Sequence, residues 1–416
     1  MMRRKTKLKS CLTLLDIGTS KVCCLVVRFD SNETPEIIAT GYAPASGIKA
    51  GAIIDLDKAT DCIFDVLNQA ETQAERRIDR VIVNISSTQL KSRHVYQETE
   101  IPDGRQITAT DVKRLVDSVI EAEATGDEEI IHAFPLEYVV DDERGVSEPR
   151  GLYGRKLGVY VHLVMLPESQ SRNLVTVLDR CHVQIDMKVA TPYAAALAVL
   201  SEEEKKVGAT VIDMGAGTTS LALFLGGGLV NLGMITNGGN VITRDIAQGL
   251  STSLSGAEHL KTLNGAAFLS PRDELDRLFV SRLGEDEGSI QIPRSYLISI
   301  IIPRLEEILE QCSRFLSSEP RFLAATRQII LTGGGCELEG IKEKASADLG
   351  AFVSLSKCPS VKGMPPQFGA HTFSTCIGLL KYAMMKYKNK PVDNIGREPV
   401  KKGFIGKGIK WLIQNF

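Results

Sequence analysis

Two stretches of this 416-residue chain carry the residue types that grip a phosphate. In the first, Asp16-Ile17-Gly18-Thr19-Ser20 closes a β-rich run over 12–17, and Lys21 opens another over 21–29. In the second, Asp213-Met214-Gly215-Ala216-Gly217-Thr218-Thr219 joins runs over 209–214 and 219–224. Each reads as a strand, a tight turn and a returning strand. Glycine at 18, 215 and 217 removes Cβ, so backbone N–H groups can approach phosphate oxygens, and the hydroxyls of Thr19, Ser20, Thr218 and Thr219 add donors. Asp16 and Asp213 are placed to hold Mg²⁺ through its water shell, which suits an ion that keeps several waters. Lys21 either faces a phosphate or merely begins its strand. Two turns of one pattern at domain-length separation read as duplication of a phosphate-gripping half-domain.

A third glycine turn, Leu331-Thr332-Gly333-Gly334-Gly335, follows an apolar run over 327–332 and precedes a helical pattern over 338–349. It is either a tight strand-to-helix connection or, with three residues lacking Cβ, a surface on which a purine or ribose can lie. Helical periodicity also marks 169–181, 192–200, 296–316 and 241–253, the last with an N-cap candidate in Gly238-Gly239-Asn240. Between the two hairpins, a more polar stretch over 88–166 holds strands at 132–140 and 156–165 and a helix at 109–122 opened by Thr108 or Thr110. Turns at Pro102-Asp103-Gly104 and Pro149-Arg150-Gly151 punctuate it, as in an inserted small α/β subdomain.

Lysine plus arginine (49) nearly balances aspartate plus glutamate (51), so no overall field argues for nucleic acid. Nine cysteines without a Cys-x-x-Cys pair predict a reduced cytosol rather than a zinc site or disulfide framework. Cys181 beside His182 reads as ordinary helix packing. No apolar run approaches the ~20 residues of a spanning helix; the longest stops at Pro303. The basic N-terminus leads into a run too short for a signal-peptide core.

The end of the chain has a different character. Residues 386–402 hold Lys386, Lys388, Lys390, Arg397, Lys401 and Lys402 with Pro391, Gly396 and Pro399, the composition of a solvated basic tether. Over 403–416, helical winding puts Ile405, Ile409, Leu412, Ile413 and Phe416 on one face, Lys407, Lys410 and Gln414 on another, and Phe404 and Trp411 at the border. Such a segment either docks on its own core or lies in the interface of an anionic bilayer. Glycines at 403, 406 and 408 each weaken an isolated helix by ~1 kcal/mol and favour a helix induced by an external surface.

With its three motifs in order, the chain resembles the actin-like ATPase superfamily, and within it the bacterial cell-division family FtsA. The narrower match rests on Gly239-x-x-Ile242-Thr243-Arg244-Asp245-Ile246-Ala247, His132-Ala133-Phe134-Pro135, Pro149-Arg150-Gly151-Leu152-Tyr153-Gly154 and the tail. The resemblance implies an α/β, duplicated actin-like nucleotide-binding fold with an inserted α/β subdomain and a C-terminal amphipathic helix. It implies a first lobe over 1–87, 168–204 and 375–386, and a self-association subdomain over 88–167. A second lobe over 205–237 and 316–374 would follow, then a subdomain over 238–315 that receives the C-terminal peptide of FtsZ, a linker over 387–402 and a membrane-targeting helix over 403–416. By the same resemblance Gly333, Gly334, Gly335, Glu258 and Lys261 lie near the adenosine, and Arg304 contacts FtsZ; without it, the last three read as solvated helix residues. Hydrolysing relatives place a Glu or Gln where this chain has Thr191, so binding of ATP with Mg²⁺ is better supported than turnover. The implied protein sits on the cytoplasmic face of the membrane at the division site, ATP-bound and self-associating, and binds FtsZ, anionic lipid and other division proteins. A pilus-assembly adaptor and a small-molecule kinase are the alternatives within the fold.

Overall fold

Aliphatic and β-branched residues, with Asp16 the one charge inside the first run, make the segment after residue 10 a largely buried strand pair. The computed structural model describes residues 11–30, 32–124, 126–283, 288–365 and 371–387. It begins with β1 (Cys11–Ile17), β2 (Lys21–Phe29) and β3 (Pro35–Pro44). A short pair, β4 (Ile48–Lys49) and β5 (Ala52–Ile53), leads to α1 (Leu56–Ala74), capped by Asp55, and to β6 (Arg80–Ile85). Next come β7 (Lys91–Glu100), α2 (Ala109–Glu123), β8 (Glu128–Val140), β9 (Glu143–Val146) and β10 (Lys156–Pro167). α3 (Glu168–Arg180), β11 (Gln184–Ala190) and α4 (Thr191–Val199) follow.

The chain then forms α5 (Glu202–Val207), β12 (Ala209–Met214), β13 (Thr219–Leu225), β14 (Gly228–Ile235), α6 (Gly239–Leu250) and α7 (Leu254–Asn264). A hairpin of β15 (Arg277–Ser281) and β16 (Ser289–Pro293) precedes the long α8 (Arg294–Ser317), then β17 (Gln328–Thr332), α9 (Ile341–Leu349) and β18 (Phe352–Leu355). The last described helix is α10 (Ser374–Tyr387). Two compact units result, one holding the described parts of Met1–Ala198 and Cys358–Phe416, the other Val199–Lys357.

Each unit is built on a five-stranded sheet, and the two sheets share one topology. In the first the order is β11-β6-β1-β2-β3, in the second β18-β17-β12-β13-β14. Both have an antiparallel meander (β1 to β3, β12 to β14) extended by two parallel strands (β6 and β11, β17 and β18). The duplication read from the Asp-x-Gly motifs therefore extends to whole half-domains. The intervening residues form a separate four-stranded sheet, β7-β10-β8-β9, in the first unit. α2 packs on it through Leu115, Val116, Val119 and Ile120. A Thr108–Asp111 capping box starts that helix, and Arg105 grips Asp111 with two bonds of 2.8 and 2.9 Å.

Two expected helix starts move, those of α6 and α9. α6 begins at Gly239, so its N-cap is Gly238, without a side-chain cap, and Asn240 lies in the first turn. α8 runs through Pro303, in line with the helical pattern over 296–316. After β17 the chain makes a 3₁₀ turn over Gly334–Glu337, and α9 waits until Ile341 because Gly340 sits in the left-handed region at φ +76°. Cys181 caps α3 and its thiol donates weakly to the Thr60 carbonyl; burial pushes its pKa up to about 11, as in a packing residue. All nine cysteines are free thiols.

The inserted sheet is pinned to the first lobe by side chains of β8. Lys188 donates to both oxygens of Glu129 at 2.8 Å. His132, 2% exposed, accepts the Ala190 N–H at 3.0 Å through Nε2 and packs edge-on against Tyr193 and Tyr382. Burial, then the nearby Lys386 and His162, push the His132 pKa down to about 3. The folded chain thus refuses a proton that the unfolded chain accepts below its ordinary 6.5. This contribution is fully present above that pH and is lost as pH falls toward the folded value, by about 1.4 kcal/mol per unit. Urea denaturation of wild type and His132→Phe between about pH 7.5 and 4.5 should show a shallower pH slope in the variant. It should also cost the variant ~1–3 kcal/mol at neutral pH, for the orphaned Ala190 N–H. Identical slopes would remove His132 from the pH dependence.

Candidate functional site

The two Asp-x-Gly turns are superimposable in their pairing. Asp16 faces Cys23 across the first hairpin, and Asp213 faces Ser220 across the second. In each, the turn glycine donates its N–H to the carbonyl three residues on, Gly18 to Lys21 and Gly215 to Thr218, both at 2.9 Å. A Cβ on either glycine would meet that same carbonyl, at 3.0 and 2.9 Å.

In the first unit, β1 carries Asp16 to the end of the sheet, 7% exposed, where the Cys376 thiol donates to it at 3.6 Å. Burial raises its pKa and the Lys21 ammonium opposes that rise. Thr19 accepts the Gly51 N–H at 3.2 Å, while Ser20 is exposed at the tip. Lys21 reaches back to the Thr372 carbonyl at 2.6 Å and over the Phe373 ring. The backbone just before the turn is held by Asn84, whose side chain accepts the Ile17 N–H at 2.7 Å and donates to the Ile17 carbonyl at 3.3 Å. Asn84 also donates to Thr191 at 3.1 Å, and Thr191 shares a 2.7 Å hydroxyl bond with Ser86. Where a water-orienting carboxylate or amide was sought, the chain has a buried hydroxyl committed to its neighbours.

In the second unit the remaining expected residues gather around the end of β12. Gly333, at φ +87°, lies so close to β12 that a Cβ would sit 2.3 Å from Asp213 Oδ1 and 2.6 Å from the Met214 carbonyl. Gly335 packs on Met214 in the same way, and only Gly334 has nothing within 4 Å of its Cβ position. Two of the three glycines thus serve the fit of β17 against β12, leaving Gly334 as the open surface. Gly217, Thr218 and half-buried Asp213 sit at the same end; Thr219 instead turns inward and donates to the Asn237 carbonyl at 2.8 Å.

The start of α6 closes over the second turn. Gly239 and Asn240 donate their N–H groups to the carbonyls of Gly215 and Ala216 at 2.9 and 2.7 Å, an approach that needs Gly238, whose Cβ would fall 2.6 Å from the Gly215 oxygen. Lys261 donates to Gly239 O at 3.2 Å, Thr243 Oγ1 at 2.8 Å and Glu258 Oε2 at 2.7 Å. Lys261, largely buried, and Glu258, still exposed, therefore join α7 to the start of α6. Sequence reasoning had no means to select Gly238, Thr243, Asn84 or Ser86 as parts of the site, although Gly238 and Thr243 stand in stretches it had singled out.

The donor set suits a phosphate ligand with a hydrated divalent cation. Asp213 would offer a carboxylate oxygen to the ion's waters, Gly334 leaves its Cβ position open, and the Ser220 hydroxyl on the facing strand is buried without a hydrogen-bond partner among the described residues. Among the described residues no group of three or more His, Cys, Asp or Glu is arranged as a direct metal cage. Away from this region, Arg304 on α8 is not a solvated cation. It forms two bonds to Asp245 at 2.6 and 3.3 Å and one to Glu307 at 2.5 Å. The tail residues Phe404, Ile405, Ile409, Trp411, Leu412, Ile413 and Phe416 lie outside the described residues. Among those that are described, no helix is long and apolar enough to cross a membrane.

Two family models match the chain. One, described as cell division protein FtsA, covers residues 210–378, and the other, the SHS2 domain inserted in FtsA, covers 87–165. The sequence is 33% identical over 383 residues to the cell division protein FtsA of Agrobacterium fabrum, spanning 89% of this chain and 86% of that one. Among solved structures, the PilM–PilN type IV pilus biogenesis complex matches with a TM-score of 0.61 at 18% identity, covering 88% of this chain and 97% of that chain. MreB 5 of Spiroplasma citri bound to AMPPNP matches with a TM-score of 0.57 at 14% identity, covering 91% and 98%. These two likenesses are of fold.

Proposed function

The chain belongs to the FtsA family of cell division proteins and has an actin-like fold, and from that premise we propose that it binds ATP with Mg²⁺, self-associates and tethers FtsZ filaments to the cytoplasmic face of the membrane at the division site. The observation that carries the nucleotide reading is the pair of Asp-x-Gly hairpins in one register on two sheets of one topology. In this reading turns 18–20 and 215–218 supply phosphate contacts, with Lys21 joining the first. Asp213 and Asp16 orient the waters of Mg²⁺, and Gly334 with the Glu258–Lys261 pair borders the adenosine. The ion would neutralise phosphate charge. The chain's own residues would bind and orient the ligand, and hydrolysis would be slow because Thr191 and Ser86 spend their hydroxyls on each other.

The partner assignments follow the family. The inserted sheet with α2 is the self-association subdomain, and the division into subdomains is the one the resemblance implies. The stretch from α6 to α8 receives the FtsZ C-terminal peptide, with Arg304 held toward it by Asp245 and Glu307. The tail from Phe404 to Phe416 lies on anionic lipid, and other division proteins dock on the assembled array. Titration of the full chain with ATP, followed by calorimetry and by sedimentation velocity, tests the reading. The expected result is saturable, Mg²⁺-dependent binding accompanied by larger species. Absence of binding would contradict the nucleotide assignment, and a monomer at every ATP concentration the self-association.

A further inference from the structure

The first phosphate turn is fastened to the start of the helix that leads into the tail. Lys21 Nζ donates to the Thr372 carbonyl at 2.6 Å and lies 3.6 Å from the centre of the Phe373 ring. Both residues immediately precede α10, and Phe373, 4% exposed, also supplies the carbonyl that accepts the Ile377 N–H at 3.2 Å. One ammonium thus holds the residue on which the helix begins. The same strand of chain is fastened again upstream. Ile37 on β3 donates its N–H to the Lys362 carbonyl at 2.8 Å, Lys362 pairs with Glu36 at 2.9 Å, and Gly363, at φ +82°, passes so near that a Cβ would fall 2.1 Å from the Ile37 oxygen. Residues 361–363 and 371–373 therefore strap the first sheet at its β3 edge and at its phosphate turn. Beyond them, α10 is seated at Gly378, where a Cβ would lie 1.7 Å from the Ala194 carbonyl, and at Tyr387, whose hydroxyl donates to Asp186 at 2.5 Å.

We propose that Lys21 is an exchangeable latch: a phosphate carried on turn 18–20 draws its ammonium off Thr372 and Phe373 and so loosens the start of α10. The inference rests on the nucleotide reading above and adds to it a route from phosphate to the helix that continues into the tether. The Thr372 carbonyl and the Phe373 ring carry no net charge, and the Asp16 carboxylate also acts on the ammonium; a phosphate oxygen is ionised as well, and bonds between ionised groups are shorter and stronger than those to a carbonyl or a ring. Lys21 directly follows the turn, so its side chain needs a change of rotamer rather than of backbone to move from one partner to the other. The seats at Gly378 and Tyr387 do not involve Lys21, and the loosening is confined to the first turn of the helix and the strap before it.

Hydrogen exchange of the full chain over residues 371–380, with and without Mg²⁺ and AMPPNP, tests the latch; calorimetry on the same samples reports whether AMPPNP binds. The latch predicts that AMPPNP speeds exchange in this segment by about tenfold or more. Lys21→Met, which keeps the aliphatic stem, should exchange that fast without nucleotide and respond little to its addition. AMPPNP binding with unchanged or slowed exchange in wild type would overturn the latch while leaving the nucleotide reading intact. A failure of AMPPNP to bind would overturn both. Should Lys21→Met misfold by circular dichroism, the wild-type comparison still decides.

Discussion

Gly333→Val is expected to lower the affinity for ATP by at least about 100-fold, equivalent to ~3 kcal/mol, although residue 333 need not touch the ligand. The new Cβ would occupy space 2.3 Å from Asp213 Oδ1 and 2.6 Å from the Met214 carbonyl, and a φ of +87° adds strain that a β-branched residue tolerates poorly. Either the turn after β17 withdraws or the Asp213 carboxylate is displaced, and both spoil the cradle beside turn 215–218. Asp213→Ala should reach a similar loss by deleting the carboxylate, with a smaller effect on folding. Gly334→Ala is the informative control, since nothing of the protein lies within 4 Å of its Cβ position. It should leave thermal unfolding unchanged and weaken ATP only through contact with the ligand. Undiminished ATP affinity in Asp213→Ala would remove the second hairpin from the site.

The second large effect is expected at the other end of the chain. A chain ending at Lys402 should lose sedimentation with vesicles of anionic lipid that the full chain shows in ATP. Wound as a helix, residues 403–416 would present the apolar stripe of Ile405, Ile409, Leu412, Ile413 and Phe416. The basic tether adds about 1 kcal/mol of attraction per Lys or Arg near an anionic surface. On the proposed reading, glycines at 403, 406 and 408 would keep one copy weak, and attachment would depend on many copies joined by self-association. Raising the salt should weaken binding of the full chain, because the tether's share is screened within about 10 Å at 0.1 M. Equal pelleting of both chains would contradict the anchoring role of the tail.

How far the sequence could be read depended on the range of the forces involved. The two hairpins were legible because Asp-x-Gly followed by small residues fixes a local turn, and a repeated turn implies a repeated register. The shared topology of the two sheets was implied by duplication, and the insert by its change in composition between the hairpins. Contacts that join residues far apart in the chain were not legible. Nothing local ties Lys21 to Thr372, Asn84 to both Ile17 and Thr191, or Asp245 to Arg304. For the glycines of 333–335 the sequence leaves a tight connection and a ligand-facing surface both open; Gly333 and Gly335 pack on β12, which lies far earlier in the sequence, and Gly334 keeps an open Cβ position. Helix starts slipped for reasons that periodicity does not register: backbone conformation at Gly340 delays α9, and the distant carbonyls of Gly215 and Ala216 take the place of a side-chain cap on α6.

Tethering itself is tested most directly by flotation of FtsZ filaments with anionic vesicles in the presence of ATP. With the full chain, FtsZ should rise with the vesicles; with the chain ending at Lys402, FtsZ and the chain should both remain below. With Arg304→Glu, which sets an acid among Asp245 and Glu307 where a peptide contact is proposed, the chain should rise and leave most of the FtsZ behind. FtsZ that stays at the bottom while the unaltered full chain floats would contradict the account.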